Sequence, residues 1–450
     1  VYKRQIDHLR FVTREEPVVS TPPRTKDIEF EDGKHGRVAI LTGLRGSAGS
    51  AEPDKLAAMA RKLGYGATLL KTGDAIDPAV LSTKNVDVFV IPCSPAYPSG
   101  GRDALLGFLK AGGSFVSIGG YAFDELVAPG SGGSAPPTVK AKDMDKAQPI
   151  AESINTRYGA HGDTMRLRPG QVGAFDPSYL LEHVAYAATA PGQHILSDDI
   201  RIDGPLKGFA ACAMTGSNSP VFPEVYGRWI PILNAYDSLG RLRGAVASVV
   251  HLFDGPFKGS SWALLGVTNR DLIGGPRGEA LLAAALRAVT EKTYLHGLRT
   301  EWACYRGREP MRVSVSVANH GKRPRKLRVR FGGDGLEAVE RAVPIEPGKT
   351  ASAEAVVHNG PFDRDFYRVA AELLDGDEVI DRTETAFVVW DDKRIQAGPR
   401  VDLRGNYLRW NGEPRFLCGT NQTGMMWYSA HEDPLTWERD FATMQAHGIR

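Results

Sequence analysis

A short run that is apolar on both faces sets the strongest limit on how this chain can fold. Residues 86–92 read VDVFVIP, and a strand buried on both faces belongs in a parallel sheet that is covered by helices on each side. The surrounding sequence alternates strand and helix patterns in the same way. The predicted strands are 37–42, 67–71, 86–92 and 114–118, and the predicted helices are 53–63 and 101–111. The pattern therefore predicts a doubly wound α/β domain.

This domain is predicted to span residues 36–298 and to contain an insertion at about 124–228. The Gly/Pro-rich passage 129–149 interrupts the alternation, and the pattern after it predicts irregular structure with short strands. Regular pattern returns at 229–253, where the turn sequence DSLG predicts a hairpin. A long helix, predicted over 278–294, closes the domain.

From residue 299 to residue 390 the hydrophobic period changes to two, with short alternating strands between Gly, Pro, Asn and Asp turns. This pattern is typical of an all-β, immunoglobulin-like sandwich, although the Cys, Trp and Cys of antibody domains are missing. The basic run KRPRKLRVR at 322–330 is predicted to be a solvated strand face. Residues 391–400 are predicted to be a linker, and residues 1–35 an N-terminal extension. The first five residues, VYKRQ, are expected to be translated adapter sequence.

Composition limits the possible partners. The 450 residues are 42% hydrophobic and 24% charged, with a net charge of +2, so we expect no nucleic-acid partner and no anionic membrane partner. No apolar stretch approaches the roughly 20 residues that span a bilayer. The four cysteines are scattered without a CxxC pair, so neither a metal site nor a cofactor is predicted. Localisation stays open.

The end of the chain carries the words NGEPRFLCGTNQ at 411–422 and WERDFATMQAHGIR at 437–450, with a strand predicted at 416–418 and a helix at 434–446. These words resemble the entry into the catalytic (β/α)₈ (TIM) barrel of glycoside hydrolases of the β-galactosidase and cellulase superfamily. The resemblance implies that residues 401–450 form only the first β/α unit of that barrel. It also implies that the two catalytic glutamates, after the fourth and seventh barrel strands, lie beyond this chain.

Four side chains follow the predicted first barrel strand, on the side where barrel active sites lie. Aromatic rings stack on pyranose rings and amides bond to hydroxyls, so these side chains are candidates for binding a carbohydrate substrate. The alternative, that the two aromatic residues only pack the loop, has equal weight. The four candidates are Asn421, Gln422, Trp427 and Tyr428.

The first domain carries VDVFVIPCSPAYP, GGSFVSIGGYAFD and GPFKGSSWALLGVTNRDL. These words resemble the class I glutamine-amidotransferase-like (flavodoxin-like) domain that accompanies some β-galactosidases. An active amidotransferase has a nucleophilic Cys at the turn after its fourth strand. Here Gly119, Gly120 and Tyr121 occupy that turn, so the domain is predicted to be inactive. Cys93, at the end of a central strand, is the alternative nucleophile, although core packing is the favoured role for it.

Together these patterns predict the non-catalytic N-terminal accessory region of a glycoside hydrolase. One alternative is a carbohydrate-binding module, or an oligomerisation module that forms a homo-oligomer through its α/β domain. Another is a thiol amidohydrolase that uses Cys93.

Overall fold

The fold is described from a computed structural model. It covers residues 28–44, 51–92, 96–98, 101–119, 125–127, 180–209, 227–267, 275–307, 309–358, 361–404, 407–414, 434–446 and 448–449. The described part of the chain is mostly β-sheet (49% strand) with few helices. Among the described residues, no helix has the length and apolar character needed to cross a membrane.

The strands of the first half of the chain are β1 (Arg37–Thr42), β2 (Gly66–Lys71), β3 (Val88–Ile91), β4 (Ala96–Pro98), β5 (Ser114–Ile118), β6 (Glu125–Val127), β7 (Leu180–Thr189), β8 (Arg201–Phe209), β9 (Gly227–Tyr236), β10 (Leu242–Leu252) and β11 (Ser261–Leu265). Those of the second half are β12 (Thr293–Thr300), β13 (Cys304–Arg306), β14 (Met311–Asn319), β15 (Arg325–Gly333), β16 (Leu336–Ile345), β17 (Lys349–His358), β18 (Phe366–Asp375), β19 (Glu378–Trp390), β20 (Val401–Arg404), β21 (Tyr407–Trp410) and β22 (Glu413–Pro414). The helices within the described residues are α1 (Pro53–Lys62), α2 (Thr72–Ala75), α3 (Arg102–Lys110), α4 (Pro276–Glu291), α5 (Asp392–Ala397) and α6 (Pro434–Ala446).

The largest sheet has nine strands in the order β2-β1-β3-β5-β11-β10-β9-β7-β8. The strands from β2 to β11 in this order are parallel to their neighbours. The remaining pairs, from β11–β10 to β7–β8, are antiparallel. One half of the sheet is therefore parallel and the other half is antiparallel.

Each face of this sheet has its own hydrophobic core, because successive side chains of a strand point to opposite faces. Val38 and Ile40 of β1 pack in the core that α1 and α4 cover. Ala39 and Leu41 pack in the core on the other face, which α3 covers. Helices thus cover both faces of the parallel half, as expected for strands that are apolar on both faces.

The region expected to be an irregular insertion is more regular than predicted. Strands β7 and β8, ten and nine residues long, lie within it and extend the main sheet. Strand pairing makes this region regular. Strand β7 lies between β8 and β9 and has backbone hydrogen-bond partners on both sides. The segment expected to be a linker contains α5, whose first turn is capped by Asp391 through the backbone N–H groups of Lys393 and Arg394.

A two-sheet sandwich follows, with strands ordered β12-β14-β17 and β13-β19-β18-β15-β16. Its core lies between the sheets, and Val313, Val315 and Val317 of β14 all point into it. Helix α4 ends at Glu291, before the predicted residue 294, because Lys292 takes a left-handed conformation with φ 46°. Strand β12 starts at the next residue and crosses the expected boundary at 298.

Three short strands, β20 to β22, form a separate sheet after α5. Helix α6 has the predicted bounds, Pro434–Ala446. The strand predicted at 416–418 lies outside the described residues, so the barrel unit stays a prediction.

Candidate functional site

Most of the side chains that the sequence singles out lie outside the described residues. These are Cys93, Gly120, Tyr121, Asn421, Gln422, Trp427 and Tyr428.

Gly119 is described, and it follows β5 directly. Its φ of 87° lies in the region that favours glycine, and its N–H donates to the Leu265 carbonyl at 2.8 Å. This bond ties the end of β5 to the end of β11. The rest of the predicted elbow stays a prediction, as do the favoured packing role of Cys93 and its alternative role as a nucleophile.

The structure instead brings together a buried charged cluster that the sequence analysis missed. Asp381 of β19 in the sandwich is 1% exposed. Its carboxylate lies 2.9 Å from His194 Nε2 and 2.5 Å from Arg228 Nη1, and both of these side chains belong to the first domain. It also accepts a hydrogen bond from the Leu295 N–H at 2.6 Å. We call Asp381, Arg228 and His194 the junction cluster.

Arg228 of β9 spans the contact between the two domains. Its Nη1 also donates to the Leu295 carbonyl at 2.8 Å, and its Nη2 donates to the Arg382 carbonyl at 2.5 Å. Arginine suits this position because its planar guanidinium presents several N–H donors in a fixed geometry. One side chain of the nine-stranded sheet therefore holds two strands of the sandwich, β12 and β19.

The charges of the cluster decide the ionisation of Asp381. Burial by itself would raise the pKa of this carboxyl group. The nearby charges of Arg228 and His194, with their hydrogen bonds, outweigh burial and hold the pKa well below its usual range. Asp381 is therefore an ionised carboxylate at neutral pH.

Histidines and a tyrosine surround the cluster. His251 of β10 stacks on Tyr294 with ring centroids 4.3 Å apart, and its Nδ1 lies 2.9 Å from Ser261 Oγ. Burial lowers the pKa of His251 to about 3, so its imidazole is neutral. His296 stacks on Phe253 at 4.0 Å, and burial lowers its pKa to about 4.

This arrangement is suited to holding two domains together rather than to acid–base catalysis. A catalytic acid or base must reach a substrate and exchange a proton near the working pH. Asp381 is almost wholly buried and its oxygens are already bonded to four groups, since the Arg382 N–H also donates to it at 2.6 Å. His251 lies 4% exposed between strands. Among the described residues, no group of three or more His, Cys, Asp or Glu side chains is placed to hold a metal ion.

A cleft with a volume of about 1140 Å³ lies at the amino ends of the parallel strands. Gly119 lies at the opposite end, after the carboxyl end of β5. Arg37, Asp87 and Gly113 line the cleft, and they stand at the amino ends of β1, β3 and β5. Helix α4 contributes residues between Ala280 and Glu291, and the sandwich contributes residues 319–323, Arg325 and Gly348. The cleft thus lies where the two domains meet.

One signal for Asp381 was present in the sequence. Strand β19 alternates, so Asp381, Thr383, Thr385 and Phe387 share a face, and Phe387 belongs to the sandwich core. An acidic residue on an inward face needs a charged partner. Periodicity does not identify that partner, because Arg228 lies 153 residues away.

No protein-family model matches this chain, and no curated protein matches it. Solved structures that it resembles include a cold-adapted β-galactosidase from Rahnella sp. R3, at 10% identity and a TM-score of 0.29, over 71% of this chain and 41% of that one. A β-galacturonidase from Eisenbergiella tayi matches at 11% identity and a TM-score of 0.20, over 52% of this chain and 35% of that one. Red sea bream transglutaminase also matches at 11% identity and a TM-score of 0.20, over 46% of this chain and 26% of that one. The chain spans less than half the length of each, and likenesses this weak support neither a fold nor an activity.

Proposed function

We propose that this chain is a non-catalytic accessory region of a glycoside hydrolase, in which the α/β domain and the sandwich act together as a rigid support. The junction cluster carries the support part of this proposal. Contacts between domains of one chain are usually polar and allow relative motion. Here the Asp381 carboxylate is 1% exposed and is bonded to groups of both domains. Moving the domains apart would leave this carboxylate and Arg228 without their ion-pair partners.

The link to carbohydrate rests on the resemblance of residues 411–450 to the entry of a glycosidase barrel. Under this proposal the parallel half of the main sheet is an amidotransferase-like domain without a nucleophile, and the sandwich is an immunoglobulin-like spacer. Asn421, Gln422, Trp427 and Tyr428 then contact sugar at the first barrel loop. A support of this kind needs no catalytic group of its own.

The test is an activity and binding screen of the full 450-residue chain. We expect no turnover of a panel of 4-nitrophenyl glycosides, because no paired catalytic carboxylates are assigned to this chain. We also expect no release of ammonia from glutamine. Turnover of any aryl glycoside would contradict the accessory role, and glutamine hydrolysis that Cys93→Ala abolishes would favour the thiol amidohydrolase instead.

A glycan array tests the sugar contact separately. We expect weak binding that is lost in the double variant Trp427→Ala/Tyr428→Ala and retained in Trp302→Ala, which removes an exposed indole of the sandwich. Equal loss in both variants, or no binding at all, would remove the carbohydrate part of the proposal.

A further inference from the structure

The lining of the cleft at the amino edge of the sheet is strongly basic. Nine Lys and Arg residues line it against four Asp and Glu residues, which gives a formal charge of +5. The whole chain has a net charge of only +2. Positive charge is therefore concentrated at this place.

The negative ends of three helix dipoles cancel only part of this positive charge. Helices α1, α3 and α4 all end at the cleft, with Leu63, Ala111 and Lys292 at their C-terminal caps. Each C-terminus carries about −0.5 of an elementary charge, so the three together contribute about −1.5 to the charge of the cleft. The cleft stays positive after this correction.

The acidic residues of the cleft are partly neutralised by internal ion pairs. Asp32 pairs with Arg37 at 2.5 Å, and Asp87 pairs with Lys322 at 2.5 Å. Arg325 is balanced by Asp375, which lies 2.8 Å away outside the lining. The excess positive charge of the cleft therefore comes from the cations of the lining that have no ion pair.

Five exposed cations of the lining have no ion-pair partner within the described part of the chain, and three of them are Lys84, Lys258 and Arg323. Lys84 precedes β3, Lys258 lies between β10 and β11, and Arg323 lies between β14 and β15. None of these three belongs to the last turn of a helix, so none serves to cap a dipole. They come from three segments and from both domains, which places positive charge on several sides of one cleft.

The floor of the cleft adds hydrogen-bond donors. Lys292 Nζ donates to the carbonyls of Gly112 and Gly259 at 2.7 and 3.0 Å, and an ammonium group has a third donor. Nε2 of His320 is buried without a hydrogen-bond partner among the described residues.

We propose that this cleft binds a small, multiply charged anion. Ligand sites favour the contact between domains, and a volume of about 1140 Å³ is large enough for a small organic ligand. Phosphate esters and polycarboxylates share the required chemistry, because both present several anionic oxygens to Lys and Arg. This site is independent of the proposed support role and of the barrel loop.

The experiment is isothermal titration of the full chain with pyrophosphate and, separately, with citrate. Both titrations are run at about 20 mM and about 200 mM salt, since screening at the higher concentration weakens exposed charge contacts. We expect saturable binding of at least one anion that weakens with salt. The triple variant Lys84→Ala/Lys258→Ala/Arg323→Ala should weaken it about tenfold, because it removes three exposed charge contacts. Tighter pyrophosphate favours a phosphate ligand, and tighter citrate favours a polycarboxylate.

The matched control is Lys71→Ala/Lys326→Ala/Lys393→Ala, which removes three exposed positive charges outside the cleft. We expect this control to bind as the unmodified chain does. Thermal unfolding by circular dichroism checks that both variants fold. We expect both to fold, because all six substituted side chains are exposed. Equal weakening in both variants would reduce the effect to net charge and overturn the proposal. So would the absence of saturable binding of either anion at the lower salt concentration.

Discussion

Two charged clusters on neighbouring strands of the sandwich have opposite surroundings. On β18, Glu372 accepts two hydrogen bonds from Arg330, at 2.8 and 2.5 Å, and the side chains are 22% and 39% exposed. On β19, Asp381 has bonds of similar length to Arg228 and His194 but is 1% exposed. The distances are alike, and the access of water differs.

That difference decides what each cluster contributes. Water solvates either partner of the Glu372 pair when the pair opens, so the net gain is small. When one partner of a buried cluster is lost, the remaining charges have no solvent to replace it. Loss of the exposed pair should therefore change the stability of the fold little, whereas loss of one member of the junction cluster should lower it strongly.

The largest expected effect is that of Asp381→Ala. This variant leaves the partly buried Arg228 without its carboxylate and the Leu295 N–H without its acceptor. We expect the free energy of unfolding to fall by about 3–5 kcal/mol, measured by urea denaturation. Asp381→Asn keeps an acceptor oxygen for Leu295 and should lose less. A loss below 1 kcal/mol in the Ala variant would place this cluster with the exposed pair.

The next largest effect is expected for Arg228→Lys, which keeps the charge and removes the planar donor group. A single ammonium cannot reproduce the bonds to Asp381, the Leu295 carbonyl and the Arg382 carbonyl. One or two carbonyls then lose their donors, and we expect a loss of about 1–3 kcal/mol, read from the same urea curves. Arg330→Lys on β18 is the matched control and should change stability by less than about 1 kcal/mol.

A third prediction concerns pH and the neutral histidine beside the cluster. The pKa of His251 falls from 6.5 to about 3 on folding, so below pH 6.5 the unfolded chain binds more protons than the folded chain does. Stability contributed by neutral His251 is present above pH 6.5 and is lost as the pH falls toward 3. We expect a loss of about 1–2 kcal/mol between pH 7 and pH 5.

The matched variant for this test is His251→Phe/Ser261→Ala, which keeps a ring against Tyr294 and leaves no hydroxyl without its histidine partner. Urea midpoints at pH 7, 6 and 5 should fall less steeply in this variant than in the unmodified chain. Parallel pH profiles would show that His251 does not titrate on unfolding.

The smallest effect is expected for Glu372→Ala, which removes the carboxylate from the partly exposed pair with Arg330. The loss should be about 0.2–1 kcal/mol and should shrink in high salt. Urea denaturation at low and high salt measures both quantities. A loss as large as that of Asp381→Ala would mean that exposure is not what separates the two clusters.

Elements bounded by clear local signals were predicted well from the sequence. The observed bounds of β1 and β5 are those predicted, because each is an apolar run that ends at a glycine or a polar residue. Helix α6 also has its predicted bounds. Strand β16 was missed, because LEAVERAVPI has charges at helical spacing. Its ladder with β15 overrides that local preference.

The junction cluster was beyond sequence reasoning for a different reason. His194, Arg228 and Asp381 belong to β-rich segments far apart in the chain, and only the docking of the sandwich on the main sheet brings them within 3 Å. Sequence periodicity gives the face of a strand but not the partner that covers it. The cleft has the same origin, since both domains line it.

Lys292 closes α4 in a left-handed conformation and passes the chain directly into β12. Its carbonyl accepts a hydrogen bond from the His320 N–H at 2.9 Å, and its ammonium group holds Gly112 and Gly259. Lys292 is the single residue between the last helix of one domain and the first strand of the next. The two domains are therefore not interchangeable modules: a graft of this sandwich onto an unrelated domain would have to rebuild the joint at Lys292 and supply an arginine opposite Asp381.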